Sequence, residues 1–273
     1  MNSVVLHKKK TISLLLCLVC LIFTFCGCSG NTEQLATEEI TTVQPTTSVT
    51  EVVIPEMLKN LSDKYNEEFE IVNGDTPQNT NEVYTYYFSP KNNNTLLFKA
   101  QKYTDDNYFS DNYFERKIAT KVRDLYFEVF SENDTYAYFD LDNNRSYKGE
   151  NTNISFEEYD NFCLVKNISG IVILNKKSIN SLSKCKEFIS NMRSFQEKVN
   201  GTSLITSLYV IPEENYEKCK NNFATSAEIP ETLGNTTKIK EWFSQYGDVF
   251  NINFSLSDGE QSLSAEDLLE KMK

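Results

Sequence analysis

Between residues 168 and 211 the chain reads ISGIVILN, then a long amphipathic stretch, then SLITSLYVI. Two short β-branched runs separated by a helix leave few topologies open. The helix predicted over Ser181–Val199 is long enough to cross a sheet and return the chain for a second strand. That succession predicts a right-handed crossover and a parallel pair. Leu182, Cys185, Ile189 and Met192 fall on one face of the helix, and Asn200-Gly201 supplies its stop signal. Pro212 closes the second strand.

Around this unit the periodicities alternate. In residues 52–150, Pro55 suits a first helical turn, and Ile54, Leu58, Leu61 and Tyr65 recur at helical spacing. Phe69–Val72 alternates and ends at the turn signal Asn73-Gly74-Asp75. VYTYYFS (83–89) and TLLFKAQKY (95–103) read as strands around a hairpin-length loop, 90–94. A long helix is predicted over 111–130 with Phe114, Ile118, Val122, Leu125 and Val129 on one face, then a strand over 135–141. This half is α-β-β-β-α-β. In residues 151–273, Ser155-Phe156-Glu157-Glu158 is a capping-box pattern. Beyond the β-α-β unit come short helices over 214–222 and 237–246, a strand over 249–256 and a last helix over 264–272. The fold class that follows is α+β, with mixed sheet or sheets flanked by helices. The two halves share no repeat.

The N-terminus obeys different rules. Lys8, Lys9 and Lys10 precede Thr11–Phe25, 15 residues without a charge. As a helix this run is about 22 Å long at ~1.5 Å per residue, short of a hydrocarbon core of ~30 Å. A basic start, a short apolar run and small residues after it read as a secretory signal, 1–27. The alternative is an uncleaved membrane anchor. Residues 28–51 form a Ser/Thr-rich segment, with nine Ser/Thr, three Glu and no base between 29 and 50. Such composition buries too little surface to offset ordering entropy and predicts a disordered tether.

Phe25-Cys26-Gly27-Cys28 resembles the lipobox of bacterial lipoproteins, usually Leu-Ala/Ser-Gly-Cys. Gly27 matches the small residue and Cys28 the lipidated one, while Phe25 and Cys26 depart from the usual pair. The resemblance implies diacylglycerol on Cys28, cleavage just before it, and a membrane partner reached through lipid on the extracytoplasmic face. Two acyl chains suit stable anchoring, because one gives only marginal binding. The stretch Lys64-Tyr65-Asn66-Glu67-Glu68-Phe69, with the YTYYFSP strand and the helix over 111–130, is similar to a module in lipoproteins of low-GC Gram-positive bacteria. That resemblance implies no activity.

Composition then narrows the chemistry. The chain carries 27 basic and 39 acidic residues, net -12, which offers no basic excess for a nucleic-acid backbone. Cleavage before Cys28 removes three Lys and no acid, leaving 24 basic against 39 acidic residues, net -15. It also removes His7, the single histidine. A mature chain without His cannot run Ser-His-Asp or Cys-His catalysis, ligate zinc through imidazole or switch on histidine protonation. Cys163, Cys185 and Cys219 show no zinc-ligand spacing. They allow one disulfide in three ways, or serve as three small buried hydrophobes.

The remaining candidates are partial motifs. Asp140-Leu141-Asp142-Asn143-Asn144 starts like a calcium loop, but Arg145 stands where Gly is needed and Asn151 where Glu is needed; it reads as a solvated turn after a strand. Asp105, Asp106 and Asp111 suit a helix start as well as a metal. Ser181-Leu182-Ser183-Lys184 contains Ser-x-x-Lys without its companion motifs. Glu157, Glu158 and Asp160 supply carboxylates of unknown separation. Tyr84, Tyr86 and Phe88 share one strand face and Val83, Thr85 and Tyr87 the other, so either helices cover both faces or one face binds glycan or protein. The chain lacks a GxGxxG or phosphate loop and implies no cofactor. The expected function is a binding or scaffolding module at the cell envelope, in contact with an envelope protein or glycan. The alternatives are a carboxylate-using enzyme on cell-wall glycan and a solute-binding lipoprotein.

Overall fold

The computed structural model describes residues 49–73, 83–103, 108–149, 151–225 and 236–273. The signal, Cys28 and nearly all of the tether therefore lie outside the described residues, as do Asp105 and Asp106. Thr47–Lys273 forms one compact unit. Its chain order is α1 (Val49–Tyr65), β1 (Phe69–Asn73), β2 (Val83–Pro90), β3 (Phe98–Tyr103), β4 (Phe109–Asp111), α2 (Tyr113–Phe127) and β5 (Thr135–Asn143). Then come α3 (Phe156–Cys163), β6 (Val165–Asn175), α4 (Leu182–Lys198), β7 (Ser203–Ile211), α5 (Glu213–Thr225), α6 (Thr236–Ser244), β8 (Phe250–Ser257), β9 (Glu260–Gln261) and α7 (Ala265–Glu270). The fold is α+β.

Two sheets carry the strands. The first is antiparallel, in the order β1-β2-β3-β4, and the second follows the order β5-β6-β7-β8-β9. In the second sheet β6 and β7 run parallel, from Asn167 opposite Ser203 to Asn175 opposite Ile211, as the β-α-β pattern requires. Their neighbours β5 and β8 pair antiparallel, so the sheet is mixed.

The second sheet has apolar cover on both faces. Ile168, Val172, Leu174, Leu204, Leu208 and Val210 join the larger core with residues of α2, α3, α4 and α7. Ile171, Ile173, Tyr209 and Ile211 point the other way and meet α5 and α6. Burial of both faces is why β6 and β7 read as continuous apolar runs. Each fully buried side chain of this kind contributes roughly 1.5–3 kcal/mol. Gly170 on β6 allows the close approach of β5: a Cβ there would stand 2.3 Å from the Tyr138 carbonyl oxygen and 2.7 Å from the Phe139 ring.

Several expected boundaries move. Helix α1 begins before Pro55, which sits inside it. Its buried stripe is Val53, Met57 and Leu61, with Ile54, Leu58 and Tyr65 only partly buried beside it. Strand β4 takes Asp111, and α2 starts at Tyr113. The strand expected from Thr95 starts at Phe98 because Asn93 ties down Thr95 through its side chain, 3.3 Å to the amide and 2.8 Å to the hydroxyl. Strand β5 runs to Asn143, so Asp140 and Asp142 lie in a strand rather than in a turn.

Candidate functional site

Most of the partial motifs that fall on described residues have a local structural use. Ser181 caps α4, its hydroxyl accepting from the Lys184 amide at 3.4 Å, while Lys184 Nζ donates to the Lys177 carbonyl at 2.5 Å. Ser155 and Glu158 close a reciprocal capping box on α3. Asp160 accepts from the Val165 amide at 2.9 Å and from Asn200 at 3.2 Å. Asp142 accepts from Asn167 at 3.4 Å, and Asn143 donates to the Tyr159 hydroxyl at 2.6 Å. Cys163, Cys185 and Cys219 are free and buried; Cys163 and Cys185 lie in one core and Cys219 in another. Among the described residues no group of three His, Cys, Asp or Glu side chains is placed to hold a metal.

The Lys64–Phe69 signature is a clasp. Asn66 takes a left-handed φ of 52° and ends α1, its amide donating to the Ser62 carbonyl. Tyr65 Oη and Lys64 Nζ then donate to Asp111 at 2.6 and 2.9 Å, and the Asp111 side chain is 0% exposed. Glu67 accepts from Tyr113 Oη at 2.7 Å and from Lys117 at 3.1 Å. The first turn of α2 is thereby fastened to the end of α1. Phe69 packs edge-on against Tyr113 and Phe98 behind it.

That fastening positions a cleft between the two sheets. Tyr87 of β2, Lys99 of β3, Glu115 and Arg116 of α2, and Tyr138 and Asp140 of β5 line a cavity of about 330 Å³. Arg116 is only 8% exposed. Its Nη1 donates to the Phe139 carbonyl at 2.5 Å and to Asp140 at 2.6 Å, and its guanidinium lies 4.0 Å from the Tyr138 ring centroid. Its Nε is buried without a hydrogen-bond partner. A much smaller cavity, about 30 Å³, lies beside Tyr138 and is lined by Arg123, Tyr136 and Phe223. Arg123 donates from Nη1 to the Tyr136 hydroxyl at 3.2 Å, and its Nε too is buried without a partner.

The carboxyls of the cleft are shifted together. Burial pushes Glu115 up from the usual carboxylate range, against its own backbone hydrogen bond, and the Asp111 charge adds to the rise. Burial also pushes Asp140 up, more than the Arg116 charge and hydrogen bond hold it down. The aromatic strand VYTYYFS is not an open patch: Tyr86, Tyr87 and Phe88 are all buried. Tyr86 and Phe88 pack into the core under α1, while Tyr87 faces the cleft.

Sequence reasoning missed Lys99, Glu115 and Arg116. The last two sit in the first turn of a helix with a clear apolar stripe, where charges read as solvated. The local signal for Arg116 is its spacing, three residues after Tyr113 and three before Ala119, both buried on the same side of the helix.

Among the described residues, no helix is long and apolar enough to cross a membrane. No protein family and no curated protein matches the chain. One solved structure is similar, the crystal structure of a DUF5037 family protein from Ruminococcus gnavus. It superposes with a TM-score of 0.57 at 14% identity, over 80% of this chain and 98% of that one. At that identity the likeness concerns the fold alone.

Proposed function

We propose that the chain is a lipid-anchored extracytoplasmic binding module, held at the envelope through Cys28 and offering the cleft between its two sheets to a ligand. The observation that carries the binding role is Arg116: a guanidinium buried in the wall of an open cavity, stacked on Tyr138, with Nε unpartnered. Leaving that Nε unpaired costs free energy, which an acceptor on a ligand in the cavity would recover. Support for the anchor is the order of Lys8–Lys10, the short apolar run, Gly27-Cys28 and the Ser/Thr tether.

The two halves of the proposal have separate tests. Cys28→Ser should leave a longer, unprocessed precursor that takes up no labelled fatty acid. A Cys28→Ser chain that matures to the same mass and still carries labelled lipid would place the anchor elsewhere. For binding, envelope glycan fragments, peptides and small metabolites are screened by thermal shift on the purified chain. A ligand should raise the melting temperature of the wild type and not that of Lys99→Ala. No shift from any class would remove the binding role.

A second reading is an enzyme that works with carboxylates, for instance on cell-wall glycan. It is favoured by Glu115 and Asp140 lining one cavity with both carboxyls pushed up by burial. Release of glycan fragments by the wild type, lost in Glu115→Gln and in Asp140→Asn, would establish it.

A further inference from the structure

The charges of the cleft are uneven in their partners. Arg116 and Asp140 form an ion pair at 2.6 Å. Lys99 Nζ and the Glu115 carboxyl, by contrast, have no ion pair within 4 Å among the described residues, although they line the same cavity. One is a cation on β3 and the other an acid on α2, too far apart to pair with each other. Each loses some hydration in the cleft and is compensated only in part: a backbone hydrogen bond and the more distant Lys64 act on Glu115, and Lys99 acts on Asp140 without a close ion pair.

A ligand that carries both charges would satisfy both walls at once. An anion alone would leave Glu115 unmatched and would approach a chain of net charge -12 against its field. A cation alone would leave Lys99 and the Arg116 Nε unmatched. A molecule of zero net charge with an ammonium and a carboxylate a few ångströms apart meets neither objection. Apart from Asn112, whose side chain accepts from the Lys99 amide, the rest of the lining is aromatic and aliphatic, Tyr87, Phe98, Tyr138, Leu97 and Leu141, which suits an apolar side chain between the two charged ends. A volume of about 330 Å³ is at the small end of ligand pockets, which begin at ~300 Å³, and matches a small molecule. From this arrangement we propose that the cleft binds a small zwitterion of the amino-acid class, a free amino acid or a short peptide, with its carboxylate toward Lys99 and Arg116 and its ammonium toward Glu115 and Asp140.

The inference rests on the binding role proposed for the same cleft, and calorimetric titration of the purified chain separates the two. The probes are phenylalanine, alanyl-alanine, N-acetylphenylalanine and phenylalaninamide. The two zwitterions should bind, and each singly charged phenylalanine derivative should bind about 10-fold or more weakly, as expected for losing one charge-assisted contact. Tighter binding of alanyl-alanine would identify a peptide site, and tighter binding of phenylalanine a free amino-acid site. Lys99→Met, which keeps the side-chain length, and Glu115→Gln should each weaken zwitterion binding about 10-fold while melting as cooperatively as the wild type. Equal binding of the capped and uncapped compounds would overturn the zwitterion. So would silence of all four probes while a different compound bound in a Lys99-dependent way, and in that case the binding role would stand. If nothing binds at all, both fall.

Discussion

The two sheets are stabilised by different means. The second is sandwiched, with a large apolar core on one face and the α5–α6 cluster on the other. The first has one helix over one face and is fastened by polar contacts: Asp111 of β4 held by Tyr65 and Lys64 of α1, Glu56 of α1 by Lys102 of β3, and, toward the rest of the chain, Glu67 by Tyr113 and Lys117 of α2. A sheet covered on both faces derives its stability from area. A sheet covered on one face depends on a few geometric contacts, each of which fails abruptly when a partner is lost. The cleft sits where these two regimes meet, with one wall on each sheet.

The largest effect is expected in the sandwiched sheet. Phe195 is 0% exposed and lies 5.3 Å from the ring centroids of both Phe139 and Tyr126. Phe195→Ala should lower the unfolding free energy by about 3–5 kcal/mol in urea titration, with the whole molecule affected. A loss under 1 kcal/mol would mean that the core collapses readily around the gap. Next comes the clasp. Asp111→Ala leaves the Tyr65 hydroxyl and Lys64 without their acceptor and should cost about 2 kcal/mol. By hydrogen exchange the loosening should fall on β1–β4 and spare β6 and β7. Equal acceleration in both sheets would erase the contrast drawn here, because the sheets would then open as one unit.

The smallest effect concerns the cleft itself. The folded Glu115 carboxyl titrates above its unfolded value, so the folded state binds the extra proton. Stability is then lost as pH rises from the ordinary carboxylate range through the raised folded value, and the loss stays constant above it. Glu115→Gln should therefore raise the melting temperature at neutral pH by on the order of 2 °C. The gain should vanish below about pH 4, where both states of the wild type are protonated. A gain that persisted in acid would assign it to packing rather than to charge.

How far the sequence speaks follows the same division. Strand β7 occupies its expected residues, and β6 begins only three residues early, because long apolar runs between a cap and a Gly stop leave little choice of register. The Ser155 capping box forms as its spacing requires. The first sheet was legible only in part. Its β4 is three residues long and went unread, with only its last residue, Asp111, falling in the helix predicted over 111–130, since Phe109-Ser110-Asp111 carries no alternation long enough to detect. Partner choice was also hidden. The strand Thr135–Asn143 pairs with β6, not with the earlier strands it follows in sequence, and no local pattern encodes a strand's neighbour. The cleft was illegible for the same reason. Lys99, Arg116 and Asp140 come from three elements, and their meeting depends on the clasp between α1 and α2 and on contacts distant in sequence.

The borders of the sheets bear on how copies of this molecule behave when crowded together. A strand with free backbone groups along its outer side is a template on which another chain can grow. Here β4 has three residues and β9 two. Strand β1 has five and breaks register between Ile71 and Asn73. The nine-residue β5 packs beside α2, and Arg116 takes up the Phe139 carbonyl. The guanidinium at the cleft is thus also a stopper on the longest border. Among the described residues, β1, β4 and β5 are short, broken in register or beside a helix, while β9 pairs with only Leu256 and Ser257 of β8, so the template for growth between neighbouring copies is narrowed to the outer side of β8 before Leu256.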